Sequence, residues 1–174
     1  MLAHDWLKCR VEEAVVTGMN VEQPAVQAGY RSLNREQRLS ILRSVRPQSM
    51  YTSVASALVG GDLDLYERFL RGEKTYVQLW PLVGRPTGTW SEKAKLALSA
   101  GFSAEEVAGA ASGSEGDWVG LESDMWGTRI EQFSDLLSCD DEGVRRLAGY
   151  GIQHGRRQRQ RALEEERHEA IYGR

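Results

Sequence analysis

The stretch from Ile130 to Tyr150, IEQFSDLLSCDDEGVRRLAGY, constrains the fold more than any other part of the chain. Ile130, Phe133, Leu136 and Leu137 recur at helical spacing, a polar SCDDEG break interrupts them, and Val144, Leu147 and Ala148 resume the period. Residues three and four apart share one side of a helix, so each segment has an apolar face that needs a partner. The pattern predicts two short amphipathic helices packed face to face across a tight turn, an αα-hairpin. Ile130, Phe133, Leu137, Val144, Leu147 and Ala148 are expected to be buried together. Such a hairpin is a unit of architecture and carries no chemistry of its own.

Asp141, Val144, Arg145 and Ala148 match the D-x-x-V-R-x-x-A pattern, and over about one repeat the chain resembles the HEAT-like helical repeat family. The resemblance implies stacked helix pairs, with Val144 and Ala148 against the neighbouring helix and Asp141 and Arg145 along the turn. Upstream, LALSAGFSAEEVAGAA is similar to DLLSCDDEGVRRLAGY in its order of helix, polar turn and helix, with Val107 corresponding to Val144.

The remainder reads as capped helical segments. Leu2 to Thr17 form a first amphipathic helix closed by Gly18, and the pattern weakens from Asn20 to Tyr30. Asn34 with Gln37 is a capping box for a helix running to Val45, Pro47 restarts the chain, and Gly60 and Gly61 stop the next helix. Asp62 caps a helix ended by Gly72. From Lys74 to Thr89 the mixture of β-branched, aromatic, proline and glycine residues fits a short strand, an irregular segment or a helix end, with Trp80 and Leu82 buried as a plug. Ser91 is expected to cap the next helix, and Ser103 with Glu106 forms a second capping box. Trp118, in the loop SGSEGDWVG, is expected to dock on the adjacent helix pair or to face a partner. After Tyr150 comes either an extension or a separate terminal helix, with i,i+4 pairs of Arg161 with Glu165 and Glu164 with His168.

The expected fold is therefore all-α, with antiparallel helical hairpins stacked as a short solenoid or irregular bundle. A helical layer over 1–72, an irregular connection over 73–90 and hairpins with a final helix over 91–174 form one compact unit. A net charge of −3 gives no general attraction to nucleic acid or anionic membranes, so binding of either would need a local patch. Cys9 and Cys139 lack a second pair for a disulfide framework, no run of apolar residues reaches a membrane span, and a cytoplasmic protein with reduced thiols is expected.

No catalytic residue, metal ligand set or cofactor is expected. His154 and His168 are separated and EEERHE does not match H-E-x-x-H. Gly149 and Gly151 lack the preceding strand of a phosphate loop, so close helix packing or a kink explains them better. Arg156, Arg157, Arg159 and Arg161 are the sharpest chemical feature, and on a helix they spread over much of the circumference. Either they form a binding surface, or they solvate a helix and are balanced by Glu164, Glu165 and Glu166. The functional expectation is a noncatalytic protein-interaction module, suited to a bacterial regulatory or defence protein, with Trp118 and the four arginines as candidate contacts. The alternatives are a nucleic-acid-binding accessory protein using the same arginines, and an enzyme whose residues converge only in three dimensions.

Overall fold

The computed structural model describes residues 33–44, 52–83, 89–113 and 120–173. Among them the chain is all-α, with no strand. The elements are α1 (Arg35–Ser44), α2 (Thr52–Val59), α3 (Leu63–Leu70), a 3-10 helix (Tyr76–Leu82), α4 (Trp90–Ser99), α5 (Ala104–Ala111), α6 (Glu122–Asp135), a 3-10 turn (Leu136–Ser138) and α7 (Glu142–Tyr172). None of these helices is long and apolar enough to cross a membrane. The expected helix over 2–17, the weak segment over 20–30, and Val45, Pro47 and Trp118 lie outside the described residues.

The chain divides into two compact units, 1–81 and 82–174, and the division falls inside the segment expected to connect two layers. In the first unit, Asn34 and Gln37 form the reciprocal cap of α1, with each backbone N–H donating to the other's side chain at 3.0 and 2.9 Å. Asp62 caps α3 by accepting from the Leu65 N–H at 3.1 Å. The same carboxylate accepts from Arg35 at 2.8 Å and Arg38 at 3.0 Å, while Arg38 also donates to the Leu58 carbonyl at 3.1 Å. One residue thus starts α3 and ties it to α1. Leu39, Ile41, Leu42, Leu58, Leu65, Tyr66 and Phe69 are buried in this unit.

The segment after α3 is a 3-10 helix organised by buried Gln78. Its side chain donates to the Phe69 carbonyl at 2.9 Å and accepts from the Thr75 N–H at 3.0 Å, and its carbonyl accepts from the Tyr66 hydroxyl at 2.9 Å. Trp80 and Leu82 are both buried.

In the second unit, α4 starts two residues earlier than expected. Thr89 is its flanking residue and makes no side-chain cap, whereas Ser91 lies inside the helix with its hydroxyl donating to Glu92. Trp90 takes the first helical position because its indole N–H donates to the Leu82 carbonyl at 2.9 Å, which fixes where the helix begins. At the other end Gly101 has φ +90. The Gly101 and Phe102 N–H groups donate back to Leu98 and Ala97, a Schellman turn in which the left-handed residue is best a glycine. Ser103 and Glu106 then form the expected capping box of α5.

The 31 residues of α7 run uninterrupted, about 46 Å, so the second arm of the hairpin is long and the segment after Tyr150 is its extension. Phe133, Val144, Leu147 and Ala148 are fully buried and Ile130 is half-buried, but Leu137 is 46% exposed. The departure has a local cause. The α6 helix ends at Asp135 and tightens into a 3-10 turn, where each residue advances about 120° and carries Leu137 off the apolar face.

Candidate functional site

Small residues on α7 let α6 approach closely enough to hold the long helix along its length. Ala148, Gly151, Gly155 and Ala162 are buried, and Gly151 and Gly155 face α6. A Cβ on residue 151 would stand 2.5 Å from Phe133 Cδ1, and one on residue 155 would stand 2.9 Å from Ile130 Cγ1. Gly151 and Gly155 are therefore packing residues. Gly149, the other half of the G-x-G, is exposed and meets nothing within 4 Å.

Further along, Leu121 precedes α6 and supplies no side-chain cap. The carboxylate of Glu166, on α7, takes that place by accepting from the Ser123 N–H at 3.0 Å and the Ser123 hydroxyl at 2.7 Å. These two bonds, the backbone one foremost, hold the Glu166 pKa below its ordinary value. Trp126 is buried, donates its indole N–H to Glu122 at 3.0 Å, and meets the His154 ring edge-on at a centroid distance of 5.5 Å. Arg129 is buried too and reaches the Gly113 carbonyl beyond α5 at 3.4 Å. Glu166 carries no local sequence signal, because Ser123 is distant in the chain.

The four arginines lie on the part of α7 buttressed in this way, and all four are exposed. Arg159 leans over Gly127 of α6, where a Cβ would meet its Cζ at 3.6 Å. Arg156, Arg157 and Arg161 are spread around the rest of the solvent side, following the 100° advance per residue. None of the four has an ion pair among the described residues. The expected balance by neighbouring carboxylates takes a different form: Glu166 is turned to Ser123, and Glu164 accepts from Gln160 at 2.8 Å. The expected Arg161–Glu165 contact is not among the ion pairs of the described residues, whereas Arg146 pairs with Glu142 at 3.0 Å.

Electrostatically this is the most segregated part of the protein. Between Glu142 and Glu164 the sequence contains no Asp or Glu, yet it carries Arg145, Arg146 and the four cluster arginines. Arg145 is used locally, donating to the Cys139 and Asp140 carbonyls at 2.8 Å across the turn, while Asp141 caps α7 at Val144. Arg156, Arg157, Arg159 and Arg161 remain exposed around α7 with no ion pair among the described residues, available to carboxylate or phosphate. Tyr150, Ile171 and Tyr172 are exposed on the same helix. No family model matches the chain, and neither a curated protein nor a solved structure matches it.

Proposed function

We propose that the chain is a noncatalytic α-helical protein-interaction module whose binding surface is the exposed face of α7. One observation carries this reading: Arg156, Arg157, Arg159 and Arg161 stand exposed on a buttressed helix, with no ion pair among the described residues. A guanidinium in that position is a ready fork for a carboxylate on a partner. Holding it on a packed helix reduces the ordering cost of binding. The resemblance of Asp141, Val144, Arg145 and Ala148 to HEAT-like repeats supports the same reading, since stacked helices of that kind present extended surfaces. A cytoplasmic setting is part of the proposal.

The neighbouring Glu164 and Glu165 favour protein over nucleic acid, because phosphates laid along α7 would meet those carboxylates. The test is native co-purification of the intact protein at physiological salt, with mass identification of what travels with it. A partner recovered with the wild type and lost on reversing Arg156 and Arg157 to Glu is the expected result. Recovery that is indifferent to the reversal contradicts it.

A further inference from the structure

We propose that the exposed face of α7 pairs with the same face of a second copy of this chain, the two helices lying antiparallel about a two-fold axis between Gln160 and Arg161. This rests on the reading of α7 as an interaction surface and names its occupant. Tyr150, Gln153, Arg157, Glu164, His168 and Ile171 are all exposed, and their spacing places them along one side of the helix, away from α6. Their order of spacing reads the same in both directions, which is what a two-fold contact between identical helices requires.

The chemistry is complementary in that register. Tyr150, 42% exposed, falls opposite Ile171 of the second copy, 72% exposed, giving one apolar contact at each end. Inboard of these, Arg157 falls opposite Glu164, and the pair occurs twice by symmetry. Charge along α7 is divided between an arginine segment and a following acidic segment, so reversal of the helix direction matches opposite signs. A parallel pairing would set Arg157 on Arg157 and Glu164 on Glu164. Moving the antiparallel midpoint back to residues 158 and 159 would set Glu164 against Gln153 and Arg157 against Gln160. The parallel alternative is opposed by like charge, and the shifted one forfeits the opposite-charge pairs.

A nucleic acid on the same face would meet Glu164 and Glu165 and leave Tyr150 and Ile171 without a role. One helix pair over roughly 33 Å buries less than a permanent interface, so the dimer forms reversibly with concentration.

Sedimentation of the full chain from low to high micromolar concentration tests the pairing. The wild-type mass should rise from one chain to two. Arg157→Glu, and separately Glu164→Arg, should each weaken association at least about tenfold, and the two changes together should restore it. Ile171→Glu should weaken it through the apolar end, and circular dichroism should show every variant as helical as the wild type, since all these side chains are solvent-facing. A wild type that stays monomeric, a dimer indifferent to either reversal or to Ile171→Glu, or a double exchange that fails to restore association overturns the proposal. A monomer that holds a different acidic protein on α7 also overturns it while leaving the interaction-module reading intact. A monomer that instead retards duplex nucleic acid through the same arginines overturns both.

Discussion

Glu166 on α7 takes the place of a cap for α6, its carboxylate accepting from the Ser123 N–H at 3.0 Å and the Ser123 hydroxyl at 2.7 Å. A helix start leaves N–H groups without intrahelical partners, and an anion there also meets the positive end of the helix dipole. The contact does two things together. It fixes where α6 begins against α7, and it removes one carboxylate from the neighbourhood of the arginines.

This contact makes α6 sensitive to acid. The Ser123 bonds favour ionised Glu166 and lower its folded-state pKa below the ordinary 4.5. The stabilisation is complete above the unfolded-state value and is lost as pH falls through the lower, folded-state one. Protection of the Ser123 amide against hydrogen exchange, relative to its intrinsic rate, should therefore fall over that acidic window. In Glu166→Gln that protection should be weaker at neutral pH and should lack this pH-dependent component. Identical profiles for wild type and variant would show that the contact is not formed.

The Gly151–Phe133 contact predicts opposite outcomes for two neighbouring glycines. Gly151→Ala puts a methyl group 2.5 Å from Phe133 Cδ1. It should cost about 1–3 kcal/mol, whereas Gly149→Ala, on open helix surface, should stabilise by about 0.5–1 kcal/mol. Phe133→Ala should cost about 3–5 kcal/mol, and in that background the penalty of Gly151→Ala should shrink, because the clashing ring is gone. Denaturant melts of the four variants settle this, and a stabilising Gly151→Ala would contradict the packing.

In the first unit, Gln78→Ala removes the partners of the Phe69 carbonyl and the Thr75 N–H at a buried position. The orphaned Phe69 carbonyl, which is buried, costs about 1–3 kcal/mol, whereas the Thr75 N–H, on an exposed residue, turns to water. Tyr66→Phe loses the donor to the Gln78 carbonyl and should cost about 1 kcal/mol. If the two variants unfold at the same denaturant concentration as the wild type, Gln78 does not organise the 3-10 segment.

What the sequence makes legible follows from the range of the interactions. The caps at Asn34, Asp62 and Ser103 are contacts between residues three apart, so their residue types sit together in the chain. The α6–α7 hairpin is legible because helical periodicity survives on both sides of its turn. Leu137 escapes that logic, since a local change from α to 3-10 geometry turns it outward while the spacing of apolar residues stays the same. Glu166 escapes it because its partner is set by tertiary packing, and Gln78 escapes it in part, because Phe69 and Tyr66 belong to the preceding helix while only Thr75 is three residues away. The arginines were visible as residue types, but their availability depends on where the following glutamates point.

The central claim is that these arginines form a binding surface. It is tested most directly by titrating the wild type and the Arg156→Glu, Arg157→Glu double variant against the recovered acidic partner at low and high salt. Folding should be unchanged, because exposed charges add little to stability. Affinity should be at least about tenfold weaker for the variant at low salt, and the wild-type complex should lose affinity as salt rises. Equal affinities for the two proteins at both salt concentrations would contradict it.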